Sequence, residues 1–153
     1  MELQRTPEVI DLEIPARSEV VSVARLVIGA IVAADPAFDD DRAADVRLAI
    51  SEACTNAIQA QISSNHLTTP VTMRCSSHEG TVTVEVIDHA GGFDPESLEP
   101  HPEVTDPARL DHERGLGIPL LRMLSDEVSF NRTADGTSVV MHFMARPGST
   151  EPR

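Results

Sequence analysis

An aspartate followed by glycines ends a strand-like stretch in VEVIDHAGGFDP, residues 84–95. Asp88 would accept a hydrogen bond from the exocyclic amine of a purine, and a residue without Cβ would let the base approach the backbone closely. Gly91 and Gly92 supply such positions. Taken alone, however, an aspartate beside turn glycines is an ordinary loop. The chemical interpretation therefore requires partners elsewhere in the chain.

Two further stretches carry residue types that complement Asp88. In ERGLGIPLL, residues 113–121, Gly115 and Gly117 would expose N–H groups at a helix start that hold phosphate oxygens, with Arg114 beside them. A lone G-x-G is weak evidence, because it also makes tight loop-to-helix junctions. In DGTSVVMHF, residues 135–143, Gly136 and Thr137 precede a strand and by themselves predict a hairpin turn.

A fourth stretch, SEACTNAIQA at residues 51–60, places Glu52 and Asn56 one helical turn apart. On a helical wheel the two side chains lie about 40° apart. They border a stripe predicted to face the core, made of Val46, Ala49, Ile50, Ala53, Ala57 and Ala60. There a helix is able to line a cavity between itself and a sheet. Without partners, a solvated Glu and Asn are the commoner interpretation.

Hydrophobic periodicity predicts the elements that must position these residues. It indicates, in order, a strand at 9–15, a helix from 18 to 34 capped by Ser18, a helix from about 41 to 63, hairpin strands at 71–76 and 81–88, a helix at 115–124, and strands at 127–133 and 137–145. The polar connection before residue 115 is long enough to predict a functional lid or a disordered segment. The two termini are expected to fray.

Size and charge restrict the class of protein. The 153 residues are 41% hydrophobic, which suits one domain with its own core. A formal charge of −13 argues against direct contact with nucleic acid and favours a partner with a basic surface. The sequence shows neither a membrane span nor a signal peptide, so we expect a cytoplasmic protein.

Cys54 and Cys75 are predicted to be buried thiols, and CSSH at 75–78 is only a weak metal motif.

The order of these weak signals is more specific than any one of them. E-x-x-x-N on a helix, D-x-A-G-G after a strand, a long polar segment, R-G-L-G on a helix and G-T before a last strand resemble the GHKL ATPase superfamily, which contains histidine-kinase-like ATPase domains. IPARSEVVSVARL and EACTNAI look like the anti-sigma factor serine/threonine kinases of the RsbW and SpoIIAB type. The resemblance covers roughly residues 10–143. It implies an α+β Bergerat fold, a two-layer sandwich whose mixed, mostly antiparallel sheet carries helices on one face.

The resemblance also implies a role for each site residue. Glu52 matches the general base toward the substrate hydroxyl, and Asn56 matches the amide that helps to hold Mg²⁺. Asp88 matches the adenine-reading aspartate. Gly92 matches the glycine beneath the base, and Thr137 matches the hydroxyl that supports adenine recognition through water. The phosphate-binding segment is matched by Arg114, Gly115, Leu116 and Gly117. Such a set is chemically sufficient for phosphoryl transfer.

One residue departs from the family pattern. Ala90 stands where the family has the first glycine of the adenine loop, because DHAGG replaces D-x-G-x-G. If that position requires a positive φ, the alanine is strained and the affinity for nucleotide changes. Gly91 is the neighbour that would supply the flexibility instead.

The resemblance implies an ATP- and Mg²⁺-dependent protein kinase that regulates transcription, in a stress response. It would sequester an RNA polymerase sigma factor and phosphorylate an anti-anti-sigma STAS protein. We expect a homodimer with no contact to nucleic acid or membrane, a single domain over 1–153 with a core at about 9–145, and a lid at about 93–113. The alternatives are an ATP-binding anti-sigma module without catalysis, the catalytic domain of a sensor histidine kinase, and an interaction domain with degenerate motifs. We expect no dimerisation helix before the opening strand, and this expectation disfavours the sensor kinase.

Overall fold

The computed structural model of the protein describes residues 8–91 and 117–146. The elements are β1 (Glu8–Ile14), α1 (Val21–Ala33), α2 (Asp40–Ser63), β2 (Val71–His78), β3 (Thr81–Asp88), α3 (Gly117–Leu124), β4 (Glu127–Arg132) and β5 (Thr137–Met144). The expected lid at 93–113 and the expected frayed ends lie outside the described residues. No helix of the described part combines the length and apolar character that crossing a bilayer requires.

The five strands form one sheet in the order β1-β2-β3-β5-β4. Every pairing between these described strands is antiparallel, so the parallel component expected of a mixed sheet does not occur among them. The hairpin predicted between β2 and β3 is confirmed. Its two loop residues, Glu79 and Gly80, have φ of 48° and 77°, which are the positive values that a tight two-residue hairpin turn needs.

Strict alternation along β3 gives the sheet one covered face. Val82, Val84 and Val86 are at most 1% exposed, as their spacing predicted, and Asp88 is the next residue in the same row. The register pairs Asp88 with Thr137 on β5. Because side chains directly opposite each other in an antiparallel pair lie on the same face, the apolar row of β3 ends in a polar pair on the covered side.

Helices α1 and α2 cover this face with residues at helical spacing. On α1 the buried positions are Val21, Ala24, Ile28 and Val32. On α2 the predicted stripe from Val46 to Ala57 is buried, whereas Ala60 is only half-buried. Asp39 caps the start of α2, since its carboxylate accepts a hydrogen bond from the Arg42 amide at 2.7 Å.

The start of the first helical segment differs from the prediction. Ser18 does not act as a cap, because it already belongs to a 3₁₀ turn, Ser18–Val20, which precedes α1. A cap residue must have an extended backbone before the first turn, and here that residue is Arg17, which makes no side-chain cap hydrogen bond. Part of the apolar surface of α1 faces solvent, since Leu26 is 74% exposed.

The two cysteines are buried free thiols, which confirms their prediction. Cys54 lies on α2 and Cys75 on β2, both within the core between helix and sheet. Burial raises the pKa of each thiol to about 12. Since the thiolate is the reactive form of cysteine, both side chains behave as small apolar residues.

A buried arginine joins elements that are distant in the sequence. Arg42 is 2% exposed. Its guanidinium pairs with the Asp126 carboxylate and donates to the carbonyl oxygens of Leu124 at 2.7 Å and Met144 at 3.0 Å. The same group lies 5.7 Å from the ring centroid of Phe143. Arg42 therefore fixes the start of α2 to the end of α3 and to both strands of the last hairpin.

Replacing this arginine is expected to destabilise the fold strongly. Arg42→Met leaves two carbonyl groups without their donor and the Asp126 carboxylate without its cation, and we expect the free energy of unfolding to fall by about 3 kcal/mol. Urea denaturation followed by circular dichroism measures this change. Arg74→Met is the matched control, because the Arg74–Asp11 pair is half-exposed on both sides. Equal shifts of the unfolding midpoint in the two variants would contradict the account.

Candidate functional site

A cleft of about 1010 Å³ lies between α2 and the covered face of the sheet. Its volume is at the upper end of the roughly 300–1,000 Å³ typical of small-molecule sites. Its walls come from α2, the end of β3 and the loop after it, α3, β4 and β5. The described lining residues are Ala53, Asn56, Ala57, Gln59, Ala60, Ile62, Ser63, Ser64, Val86, Asp88, Ala90, Gly91, Ile118, Leu121, Phe130, Asn131, Arg132, Thr137 and Val139.

Three of the predicted site residues meet in this cleft. Asn56 lines it from α2, Asp88 from the end of β3 and Thr137 from the start of β5. Glu52 is half-buried one turn before Asn56 on the same helix, but it is not among the lining residues. The structure thus brings an amide, a carboxylate and a hydroxyl from three distant segments to one cavity.

The remaining predicted site residues lie at the start of the second described segment, residues 117–146, or outside the described residues. Gly117 is the first residue of α3, whose next residue, Ile118, lines the cleft. Gly92, Arg114, Gly115 and Leu116 lie outside the described residues, and their roles stay predictions.

Small side chains on α2 create the space between helix and sheet. Ala53, Ala57 and Ala60 follow one another at spacings of four and three residues and line the cleft on its helix side. Because residues at these spacings share one helix face, the chain presents a row of methyl groups where larger apolar side chains would fill the cavity. Ala60, which the wheel placed in the core stripe, therefore belongs to the cavity wall.

The Asp88 carboxylate is held in place by its own loop. The residue is 9% exposed. Its Oδ1 accepts a hydrogen bond from the backbone N–H of Ala90 at 3.2 Å. Thr137 is its direct cross-strand partner. An acceptor that is nearly buried and oriented by a backbone contact is suited to reading a hydrogen-bond donor on a ligand.

Gly136 lies so close to Asp88 that no side chain fits between them. A Cβ on Gly136 would stand 1.9 Å from the carbonyl oxygen of Asp88 and 2.9 Å from its Oδ1. The φ of Gly136 is not in the positive range, so the constraint is the space beside it and not its backbone conformation. The sequence pattern had suggested a hairpin turn at this glycine, and the structure adds its close packing against the predicted site aspartate.

The backbone at Ala90 does not require glycine, because the neighbouring Gly91 adopts the positive φ. Ala90 has no positive φ, whereas Gly91 has a φ of 90°. The Gly91 N–H donates to the Asp135 carbonyl oxygen at 2.8 Å, and a Cβ on Gly91 would lie 3.3 Å from the ring of His66. The prediction that Gly91 supplies the flexibility is confirmed. Alanine at position 90 therefore introduces no left-handed backbone.

Two contacts of this loop were not predicted from the sequence. Gln61, fully buried near the end of α2, accepts a hydrogen bond from the His89 N–H at 2.9 Å. The His89 ring lies 2.9 Å from the Asp135 carboxylate, and this hydrogen bond lowers the pKa of Asp135. The only available signal was a second glutamine near the end of an amphipathic helix, and its periodicity does not reveal a loop partner.

Comparisons of the sequence with known proteins agree on one family. The family model described as the histidine kinase-like ATPase domain matches residues 14–143. The chain is 30% identical to the serine-protein kinase RsbW of Bacillus licheniformis over 150 residues, which is 94% of this chain and 91% of that protein. It is 31% identical to RsbW of Bacillus pumilus and 26% identical to RsbW of Staphylococcus epidermidis, again over 94% of this chain and 91% and 92% of those proteins.

Solved structures share the fold at lower sequence identity. The RsbU and RsbW domains of a Mycobacterium tuberculosis protein superpose with a TM-score of 0.66 at 18% identity, over 92% of this chain and 34% of that one. A histidine kinase domain from Erythrobacter litoralis superposes with a TM-score of 0.51 at 21% identity, over 86% of this chain and 61% of that one. These similarities confirm the predicted α+β fold class.

A methyl group at Gly136 is expected to disrupt the end of β3. Gly136→Ala forces the Asp88 backbone and the last hairpin apart, which should lower the free energy of unfolding by about 1–3 kcal/mol. Gly29→Ala is the matched control. Gly29 lies within α1, where alanine is favoured over glycine, and a Cβ there meets only the side chain of Arg47, at 3.4 Å. The measurement is the urea midpoint of unfolding of each variant, compared with that of the wild type. A Gly136→Ala protein as stable as wild type would show that the close approach is not a constraint.

Proposed function

The chain belongs to the histidine kinase-like ATPase family, and within it to the RsbW-type serine-protein kinases, and from this premise we propose an ATP-dependent serine/threonine protein kinase that is also an anti-sigma factor. The observation that carries this proposal is the meeting of Asn56, Asp88 and Thr137 in one cleft beneath α2. The relatives supply the class of reaction, and the cleft supplies a site at which it would occur.

The cleft suits the adenine end of a nucleotide. Asp88 offers a nearly buried carboxylate, the natural partner for an exocyclic amine. Thr137 lies directly opposite it on the neighbouring strand and adds a hydroxyl. The cleft walls next to this polar pair are apolar, with Val86 and Val139 on the sheet and alanines on α2. A flat base would thus lie between a hydrocarbon helix face and a hydrocarbon sheet face, with its polar edge toward Asp88.

The polar border of α2 suits the opposite end of a nucleotide. Asn56 would hold Mg²⁺ through its amide oxygen, a ligand type that this hard cation accepts alongside phosphate oxygens. When bound, Mg²⁺ would neutralise phosphate charge during transfer. The donor set beyond Asn56 is proposed to come from the segment 114–117, with Arg114 as a cation and the glycines as N–H donors, and Gly92 would lie beneath the base.

Glu52 is proposed as the general base. It lies one turn from Asn56 on the same border of α2 and is half-buried. A carboxylate at that position would accept the proton of an incoming serine or threonine hydroxyl as the oxygen attacks the γ-phosphorus of ATP and the bond to the bridging oxygen breaks, releasing ADP. Because Glu52 is outside the cavity lining, it would meet the protein substrate and not the nucleotide base.

The partners follow from the family and the charge. We propose that the protein sequesters an RNA polymerase sigma factor and phosphorylates an anti-anti-sigma STAS protein, acting as a cytoplasmic homodimer in a stress response. A formal charge of −13 favours partners with basic surfaces and disfavours nucleic acid. The proposed organisation is one ATP-binding domain over the whole chain, with residues 93–113 as a lid over the nucleotide.

Replacing the proposed adenine reader is expected to remove nucleotide binding. Asp88→Asn presents an amide N–H₂ where the carboxylate oxygens stood, so donor faces donor unless the amide turns over, and we expect the Kd for ATP to rise by roughly 100-fold or more. Isothermal titration with ATP and Mg²⁺ measures the change. Asp11→Asn, on the exposed β1 strand, is the matched control. Unchanged affinity in Asp88→Asn would remove the proposed site.

Replacing the proposed base is expected to separate binding from transfer. Glu52→Ala should keep the wild-type Kd for ATP and lose about 10²- to 10⁴-fold in phosphorylation rate. Transfer of label from γ-labelled ATP to the cognate STAS protein provides the measurement. The alternative function, an ATP-binding anti-sigma module without catalysis, predicts no transfer by the wild type. Normal phosphorylation by Glu52→Ala would show that another group is the base.

A further inference from the structure

Three successive backbone N–H groups after Asp88 are each held by a different element. The His89 N–H donates to the Gln61 side chain on α2 at 2.9 Å, and the Ala90 N–H donates to Asp88 Oδ1 at 3.2 Å. The Gly91 N–H donates to the Asp135 carbonyl in the β4–β5 turn at 2.8 Å. The path of this loop is therefore set jointly by the helix, by the aspartate itself and by the last hairpin.

Among these three acceptors, only Gln61 belongs to the helix that forms the opposite wall of the cleft. Its side chain is 0% exposed. Its amide nitrogen donates to the carbonyl oxygens of His66 at 3.2 Å and Thr69, while its oxygen accepts from His89. The reversed orientation would place the oxygen against two carbonyls and the N–H₂ against an N–H. The amide is thus restricted to one orientation, in which all three contacts are satisfied.

This contact couples the helix wall to the carboxylate on the sheet side. His89 is the residue next to Asp88, and Ala90, one position further, donates to the carboxylate. If the His89 N–H loses its acceptor, the loop loses this hydrogen bond to α2, and the geometry that orients Oδ1 loosens with it. A loop that carries a recognition group must be fixed to a rigid element for that group to discriminate between ligands.

We propose that Gln61 is a positioning residue for base recognition: by fixing the His89 N–H to α2 it holds the Asp88 carboxylate where it distinguishes adenine from a purine without the exocyclic amine. This inference rests on the proposed function, because it assumes that Asp88 reads a base. It assigns to the glutamine no contact with the nucleotide. Its effect is on selectivity through the aspartate.

The test compares two nucleotides that differ at the recognised group. Inosine triphosphate carries a carbonyl oxygen where ATP has the amine, so an ordered Asp88 carboxylate favours ATP and repels inosine triphosphate. Gln61→Met keeps the length of the side chain and removes all three hydrogen bonds. We expect its Kd for ATP to rise roughly tenfold while the Kd for inosine triphosphate changes little, so that the ATP preference falls roughly tenfold.

A destabilised variant with an intact loop provides the control. Ile28→Ala removes a fully buried side chain of α1 that does not line the cleft. If general destabilisation were the cause, this variant would lose ATP preference as Gln61→Met does. We expect Ile28→Ala to retain the wild-type preference at a temperature where both variants are folded.

A second variant keeps the inference testable if Gln61→Met does not fold. In Gln61→Glu, burial raises the pKa of the introduced carboxyl, and its neutral form still accepts from His89 and donates to one carbonyl. As the pH rises through that raised pKa, the carboxylate is repelled by the His66 and Thr69 carbonyls, which displaces the side chain from the His89 N–H, so ATP preference should decline. The groups that surround the loop, His66, His89, Asp88 and Asp135, are also present in the wild type, whose own pH profile therefore isolates the new carboxyl.

The outcomes separate the inference from the proposed function. Wild type that binds neither nucleotide would overturn both. Wild type that prefers ATP, together with a Gln61→Met protein that keeps this preference, would overturn the inference alone and leave Gln61 a structural residue. Parallel pH profiles for Gln61→Glu and wild type would likewise overturn it. A lost preference in Gln61→Met, retained in Ile28→Ala, is the result that supports it.

Discussion

The close approach between Gly136 and the end of β3 is the constraint on which the site depends. With the Asp88 carbonyl oxygen 1.9 Å from where a Cβ would stand, β3 and β5 meet at a point that only glycine allows. That contact sets Thr137 directly opposite Asp88 and places both at the covered edge of the sheet. The cleft begins where the apolar row of β3 gives way to this polar pair, so the packing of two backbones determines where polar recognition occurs.

Helix α2 serves the core and the cleft with different parts of one surface. Its large buried residues, such as Ile50 and Ile58, pack into the core, while Ala53, Ala57 and Ala60 leave the cavity open. Asn56 and Glu52 lie on the border between these regions. Arg42 fixes the first turn of the helix to the last hairpin, and Gln61 ties its last turns to the loop after β3. The helix is thereby held at both ends against the elements that supply the other wall.

Much of the fold was predictable from alternation and helical periodicity, because burial of one face governs both. The valines of β3 and the stripe of α2 from Val46 to Ala57 follow that rule. Asn56, Asp88 and Thr137 were predictable as a set only through their order along the chain, since each alone is an ordinary border or loop residue. The structure adds their convergence in one cavity.

The unpredicted features are polar groups whose partners are set by tertiary packing. Arg42 follows three aspartates and looks like a solvated first turn, yet it is buried because distant carbonyls surround it. Gln59 and Gln61 lie about 200° apart on the helix, so periodicity accounts for one exposed and one buried side chain, but it does not identify the His89 N–H as the partner of Gln61. Ser18 was predicted to cap the helix, but it is the first residue of a 3₁₀ turn, so the cap position falls one residue earlier, on Arg17. Local sequence patterns do not encode these partners.

The most direct test of the central claim is a crystal structure of the protein with a non-hydrolysable ATP analogue and Mg²⁺. The account predicts the adenine ring between the alanines of α2 and the sheet, with its exocyclic amine within hydrogen-bond distance of the Asp88 carboxylate. A base bound elsewhere, or one whose amine points away from Asp88 in a fully occupied site, would contradict it.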